Sequence, residues 1–370
     1  MAPHAIITSA QISAYTIPTE MPEADGTATW KATTIVVVEL AAGGQSGLGY
    51  TYSHKSAAVA AQDLVESEVV GKDAFDIPGI HHAMDVFCRN WGRPGIASTA
   101  ISAIDVALWD LKARVLDRSI VDLLGKARGS IQGYGSGGFT SYTDTQLLEQ
   151  MTGWAHDGFP AVKMKIGRNA ADDIRRIKAV CRALKGKTEL YIDANGAYDR
   201  KLALAVSEQV GDLDVHWFEE PVSSDDREGL RLLVERTPAL MKIAAGEYIY
   251  VLDDARLLIQ AQAIDVLQAD VTRCGGITNF MKIGSLCETY HLPLSAHTAP
   301  SLHAPLCCAA VPALNLEYFF DHQRVERMLF EGAIRPDRGL LRPDESAPGL
   351  GLALKRQDAQ QFETFNWHST

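Results

Sequence analysis

The chain has 370 residues, 46% of them hydrophobic and 22% charged, and 35 basic against 46 acidic side chains give a formal charge of −11. That composition belongs to a folded globular protein with room for two domains, or for one barrel with an attachment. It excludes collagen, disorder and a small disulfide scaffold. The acidic balance, with no clustered stripe of Lys and Arg, argues against nucleic acid as a partner and for a small molecule.

The start, Met1-Ala2-Pro3-His4, has neither the basic region nor the apolar run of a signal peptide. No apolar stretch approaches the ~20 residues that a bilayer demands, so a cytoplasmic protein with no membrane partner is expected. Cys88, Cys181, Cys274, Cys287, Cys307 and Cys308 show no zinc-ligand spacing. They read as reduced core thiols, and even Cys274, just before Gly275-Gly276, is better explained by packing than as a nucleophile.

Residues 1–128 read as mixed α+β. Segments 6–17 and 33–40 carry β-branched runs, and Gly43-Gly44 before the 48–52 segment marks a hairpin. The stretch 18–30 mixes Pro, Gly, Asp and Thr without period and is expected to be a long functional loop. Segments 57–70 and 98–116 have helical spacing, with Ile101, Ile104, Ala107, Leu108 and Leu111 on one stripe.

From residue 129 a rhythm sets in. Eight short apolar runs (131–137, 161–166, 189–192, 215–218, 242–245, 264–268, 292–295 and 314–316) alternate with amphipathic patterns such as 144–157, 172–184, 201–210, 226–236 and 277–290. Eight strand–helix units specify a (β/α)₈ TIM-type barrel over 129–344. An open doubly wound sheet would want Gly-x-Gly-x-x-Gly at its first strand–helix turn, which is absent. The tail from Glu331 is rich in Pro and Gly, and its last part, about 345–370, is expected to leave the barrel and complete the N-terminal domain.

In such a barrel the strand ends converge on one mouth. Seven consecutive runs end in an ionisable residue: Lys165, Asp193, Glu219, Glu247, Asp270, His297 and Glu317. Asp193 alone would pass for a turn or cap before Asn195-Gly196, but caps do not explain Lys, His and three Glu. Asp193, Glu219 and Glu247 would crowd three negative charges together and call for a cation, and an all-oxygen ligand set with open positions suits Mg²⁺. The competing explanation is an ion-pair network with Lys163, Lys165 or Lys242.

Lys163 and Lys165, two apart, leave the same face of a strand. The neighbouring cation and the metal are expected to depress Lys165 towards a useful base. Across the mouth, Asp270 would fix the tautomer of His297. Two acid/base groups facing a metal-bound carboxylate can remove the α-proton on one side and, on the other, return a proton or protonate a departing β-hydroxyl. Glu317, held protonated, would donate to the substrate carboxylate.

Taken together, Ala161-Val162-Lys163-Met164-Lys165-Ile166-Gly167, Ile192-Asp193-Ala194-Asn195, Trp217-Phe218-Glu219-Glu220-Pro221, Gly246-Glu247, Asp270 with Gly275-Gly276, and His297 resemble the enolase superfamily, mandelate racemase (mandelate racemase/muconate lactonizing enzyme-like) subgroup. The resemblance spans nearly the whole chain, including the Ala103-Ile104-Asp105-Val106-Ala107-Leu108-Trp109-Asp110 helix of the family's capping domain. It implies Asp193, Glu219 and Glu247 as Mg²⁺ ligands, Lys165 as one acid/base, and His297 with Asp270 as the other.

The same likeness makes 18–30 and 48–54 the covering loops, and Asn195 and Tyr52 candidate substrate contacts, with interfacial packing an equal alternative for Tyr52. It also implies a homo-oligomer, dimer or octamer. Tyr248, where mandelate racemase has an amide, and Cys274 are departures. The polar, acidic composition of 19–29 (Glu20, Glu23, Asp25) points to a polyhydroxylated acid rather than mandelate. The leading expectation is therefore an acid-sugar dehydratase, a carbon–oxygen lyase forming a 2-keto-3-deoxy acid from an aldonic or aldaric acid. A racemase, epimerase or lactone cycloisomerase would use the same groups. A binding protein without the reaction would have lost one of these residues, and none is missing.

Overall fold

The computed structural model describes residues 4–369; Met1 to Pro3, on which the leader reading partly rests, and Thr370 lie outside them. The chain opens with three antiparallel strands, β1 (Ile7–Ala24), β2 (Thr29–Ala42) and β3 (Gln45–Tyr52). Helices α1 (Ser56–Leu64), α2 (Ile77–Phe87), α3 (Ile96–Val115) and the short α4 (Ile120–Leu124) follow. The β-branched run Ile35–Val36–Val37–Val38 is fully buried because both faces of this sheet are covered. Val36 and Val38 pack with Ile12 and Ala14 against the helices, whereas Ile35 and Val37 join Tyr15, Tyr50 and Tyr52 in the core shared with the barrel.

The segment 18–30 is not a loop. β1 continues through it to Ala24 and pairs with β2 as far as Ala24↔Thr29, with an irregular register between Pro18 and Glu23. Pro and Gly hid this because the irregularity absorbs the proline, while the tip closes on Asp25, whose Oδ1 accepts from the N–H groups of Thr27 and Ala28 at 2.6 Å each. The expected helix over 57–70 is also shorter: α1 stops at Leu64 and a single π turn carries the chain to Val69.

The second part is a closed barrel. Its strands are β4 (Ile131–Gly137), β5 (Ala161–Lys165), β6 (Glu189–Asp193), β7 (Val215–Glu219), β8 (Lys242–Ala245), β9 (Val266–Ala269), β10 (Leu294–Ala296) and β11 (Ala313–Phe319). They pair in parallel in sequence order and β11 closes on β4. Between them lie α5 (Asp144–His156), α6 (Ala170–Leu184), α7 (Arg200–Val210), α8 (Arg227–Arg236), α9 (Leu252–Gln260), α10 (Gly276–Thr289) and α11 (Pro300–Ala309), with α12 (Phe320–Leu329) after the last strand.

Strand parity sorts the interior into layers. Tyr134, Ala161, Tyr191, Trp217, Ala244 and Val266 form an apolar floor, in which the Tyr191 and Trp217 rings stack at 5.0 Å. Two residues further along the same strands come Ser136, Lys163, Asp193 and Glu219, which face the mouth, and Asp270, four residues beyond Val266, lies just past the end of β9. The chain then returns: a final strand, Glu363–His368, pairs antiparallel with β1 and completes the N-terminal sheet. No helix among the described residues is long and apolar enough to cross a membrane.

The N-terminal sheet rides on α3 at a close approach. A Cβ on Gly49 would lie 2.1 Å from the Ala103 carbonyl oxygen and 2.5 Å from the Ala107 nitrogen, both of them backbone that cannot step aside. Gly49→Ala is therefore expected to destabilise the protein by about 1–3 kcal/mol, read as a lowered denaturation midpoint, through the strain of overpacking. An unchanged midpoint would mean that β3 and α3 separate freely.

Candidate active site

The mouth is buried and crowded. Asp193 ends β6 and Glu219 ends β7, and Glu247 follows β8 after the turn at Gly246; all three are buried, with one carboxylate oxygen from each lying within 4.8 Å of the others. Lys163 Nζ is fully buried 2.5 Å from Glu219, 2.8 Å from Glu317 and 3.3 Å from Asp193. Lys165, one inward position further along β5, pairs with Asp193 at 2.6 Å.

On the other flank Asp270 Oδ2 lies 2.9 Å from His297 Nδ1, so the second ring nitrogen, Nε2, faces the mouth, 3.3 Å from Glu247 and 3.7 Å from Glu317. Around the closed barrel, Lys165, Asp193, Glu219, Glu247, Asp270 and His297 thus form one arc over six consecutive strand ends, with a cationic or protonatable group at each end. All the residues expected from the rhythm of strand ends come together.

Each charge is set by its surroundings. Burial alone would push His297 down, yet Glu247 and Glu317, with Asp270 on Nδ1, raise it to about 9. Burial would push Lys165 down as well, but Asp193 prevails and holds it above the usual lysine range. That is the reverse of the depression expected from Lys163, because the carboxylates on the protein side outnumber the one neighbouring cation. Glu317 is also corrected. Burial favours its protonated form, but Lys163 and His297 pull it down to about 2, while Ser136 Oγ at 2.5 Å and the Thr298 N–H at 3.2 Å donate to it. It is an ionised acceptor, not a donor.

Lys163 and Lys165 do pair with the carboxylates, as the ion-pair alternative requires, whereas Lys242 lies exposed at the far end of its strand. These pairs leave the mouth acidic all the same. Glu220 is buried beside the cluster with Oε1 unpartnered, so among the described residues Asp193, Glu219, Glu220, Glu247, Asp270 and Glu317 face only Lys163, Lys165 and Arg273 as permanent cations, and burial with the crowding of acids raises Glu219 to about 8 and pushes Glu220 well up. A divalent ion offsets that excess. Octahedral Mg²⁺–oxygen distances of about 2.1 Å would bring neighbouring ligand oxygens to about 3 Å, a small adjustment for three side chains already this close.

Several contributors escaped the sequence. Arg273 Nε stands 3.5 Å from Asp270, and its Nη1 stands 3.6 Å from Glu247 while donating to the Glu247 carbonyl at 3.1 Å. Ser136 was findable, since it shares the inward phase of its strand with Tyr134. Asn195 adopts φ 46°, its N–H donating to Asp193 at 2.9 Å and its buried Oδ1 without a partner. The Tyr52 hydroxyl is committed to the His322 carbonyl at 3.2 Å and its ring stacks on His322 at 3.5 Å, a packing role at the domain interface. Glu23, counted among the acidic covering residues, is buried and accepts from Trp30 Nε1 at 2.9 Å; burial and Asp321 raise it to about 8.

The hairpin tip is fastened over the mouth by Arg168, which donates to the Asp25 and Ala28 carbonyls at 2.7 and 2.5 Å. Residues 7–125 match the mandelate racemase/muconate lactonizing enzyme N-terminal domain, and residues 146–359 match the enolase C-terminal domain-like family. The chain belongs to the enolase superfamily, mandelate racemase/muconate lactonizing enzyme group.

Among similar proteins, the L-talarate/galactarate dehydratase of Salmonella typhimurium strain LT2 is 33% identical over 331 residues, covering 87% of this chain and 81% of that protein. Its crystal structure liganded with Mg and L-lyxarohydroxamate gives a TM-score of 0.91 at 29% identity, over 99% of this chain and 95% of that one. A mandelate racemase/muconate lactonizing enzyme-like protein from Rubrobacter xylanophilus gives 0.93 at 47% identity, over 97% and 100% of the two chains. A racemase from Streptomyces coelicolor A3(2) with bound magnesium gives 0.91 at 26% identity, over 97% and 100%. The acidic cluster Asp193, Glu219 and Glu247 of this enolase-superfamily chain fits a site for magnesium, the ion bound in those relatives.

Trp217 in the barrel floor donates from Nε1 to Glu219 Oε2 at 3.0 Å, fixing the orientation of that carboxylate. Trp217→Phe keeps the stack but removes the donor. It is expected to weaken Mg²⁺ binding about 10–100-fold by calorimetry, the usual cost of losing an outer-sphere hydrogen bond. Unaltered affinity would show that Glu219 is not a ligand or needs no such support.

Proposed function

We propose that the protein is a Mg²⁺-dependent acid-sugar dehydratase that takes the α-proton from an aldonic or aldaric acid and expels the β-hydroxyl as water, giving a 2-keto-3-deoxy acid. The observation that carries this reading is the arc itself: Lys165 beside Asp193 at one end, His297 beside Glu247 at the other, and three carboxylates between them. Asp193, Glu219 and Glu247 would hold the ion. When bound, magnesium supplies the positive charge that stabilises negative charge developing on the substrate carboxylate.

The chain's own groups then divide the proton transfers. Lys165 Nζ, at the open end of β5, must first give its own proton to solvent, as it would once an ion on Asp193 weakened their pairing, and in its neutral form takes the α-proton on one face. His297, held by Asp270 through Nδ1, presents Nε2 on the other face and gives its proton to the departing β-hydroxyl oxygen. Lys163, enclosed by Glu219, Glu317 and Asp193, is too committed to exchange protons and serves as a fixed positive charge. Ionised Glu317 turns its charge towards Lys163 and His297, so substrate hydroxyls rather than a substrate carboxylate suit its free lone pairs. Asn195 Oδ1, buried and unpaired, is a second acceptor for a hydroxyl. Polyhydroxylated acids fit such acceptors better than aromatic ones do.

A racemase, epimerase or lactone cycloisomerase would begin with the same abstraction, and the magnesium-bound racemase of the same fold keeps that reading in play. Incubating the magnesium-loaded protein with a panel of aldonic and aldaric acids in D₂O separates the two. A keto-acid product supports the lyase, whereas α-deuterium without water loss supports an isomerase. Lys165→Ala and His297→Asn are each expected to lower turnover about 10²–10⁴-fold and to suppress exchange from opposite faces. Identical residual exchange in both variants would contradict the two-sided mechanism.

A further inference from the structure

The Ala103–Asp110 motif of α3 belongs to the capping domain, far along the chain from any reacting group, yet it is aimed at the acid/base pair. Asp270 is followed by a turn, residues 271–275, that leads into α10. Side chains of the N-terminal domain take several of the polar groups of this turn. Thr51 Oγ1 donates to the Thr272 carbonyl at 2.6 Å, Ser98 Oγ to the Arg273 carbonyl at 2.8 Å, and Ser102 Oγ accepts from the Gly275 N–H at 2.9 Å. Asp105 then caps α10, accepting from the Thr278 N–H at 2.9 Å and from its hydroxyl at 2.5 Å. Thr51, Ser102 and Asp105 are fully buried, so none of these bonds is shared with bulk water.

The contact is also too close for any other residue on the barrel side. Gly276 has φ 78°, and a Cβ there would lie 2.4 Å from Asp105 Oδ1. The turn in turn orients Asp270, whose Oδ1 accepts from the Thr272 N–H at 2.7 Å while Oδ2 faces His297 Nδ1. From the barrel side His303 fastens the same turn, its Nε2 accepting from the Val271 N–H at 2.9 Å.

From this geometry we infer that Ser102 and Asp105, on the capping domain, are positioning residues for the Asp270–His297 pair: they fix the turn that aims the Asp270 carboxylate at the imidazole. The inference deepens the proposed function and rests on His297 being one of its two acid/base groups. Catalytic groups must be held within about 0.5 Å of their productive geometry, so the bonds that hold this turn bear directly on the pair.

The test uses full-length, magnesium-loaded protein with ¹⁵N-labelled histidine, the His297 ring signals being assigned by their loss in His297→Asn. In Ser102→Ala and Asp105→Ala these signals are expected to move from the wild-type positions towards those of Asp270→Asn, and Asp105→Asn, which keeps an acceptor for Thr278, is expected to restore them. On an acid that the wild type turns over, kcat should fall about tenfold or more in Ser102→Ala and Asp105→Ala with KM little changed. His297 signals that coincide with the wild type in a folded variant would overturn the inference and leave a purely structural clamp between domains. Should Asp105→Ala not fold, Ser102→Ala carries the same readout. The NMR comparison needs no turnover, so a wild type inactive on every acid would refute the reaction while leaving the positioning result to stand or fall by itself.

Discussion

Mutual repulsion among Asp193, Glu219 and Glu247 is the constraint around which the mouth is organised. Unit charges no more than 4.8 Å apart in a site of effective dielectric about 20 repel by roughly 3 kcal/mol or more per pair. Lys163 relieves part of this, which explains why a lysine is tolerated with no exposure at all: it touches three carboxylates at once. The remaining deficit is what a hard divalent cation answers, and a protein that keeps so many acids dry is primed for one. The acids beside them hold both ends of the arc charged, which suits His297 as a proton donor and means that Lys165 becomes a base only when a cation on Asp193 loosens its proton.

That arrangement depends on a floor and a roof. Below, the Tyr134, Tyr191 and Trp217 rings fill the barrel axis, and Trp217 reaches up to orient Glu219. Above, the β1–β2 hairpin lies across the mouth and is pinned by Arg168, while α3 braces the turn after β9. The capping sheet thus contributes enclosure at one edge and alignment at the other.

Much of this was legible in the sequence, for reasons that differ by element. The barrel strands announced themselves because parallel strands buried on both faces read as short apolar runs, and the run at 131–137 coincides with the observed β4. The catalytic layer was legible because parity and strand ends are properties of position along the chain. The hairpin at 18–30 was not, since its pairing partner supplies the order that its own residues do not encode, and Pro18 reads locally as a breaker. Helix α11 carries no amphipathic stripe because every one of its residues is buried, with Pro305 in its interior. The charge states of Glu317 and Lys165 escape local reading for a related reason: they depend on which side chains meet across the barrel, and spacing says only that they meet somewhere in the mouth. Arg273 acts by meeting Glu247 and Asp270 from the turn after β9, and Asp105 by reaching across the domain boundary to Thr278, and no local pattern records either contact.

The strand Glu363–His368 zips onto the outer edge of β1, so the sheet that β1 opens is completed only after the barrel has been made. Throughout translation of the barrel, β1 presents an open row of amide and carbonyl groups able to recruit a neighbouring nascent chain. Polar Gln11, Ser13 and Thr16 along that edge make such recruitment less adhesive than an apolar border would. Loss of the Glu363–His368 strand would therefore leave the barrel untouched and yet release a molecule with a sticky flank.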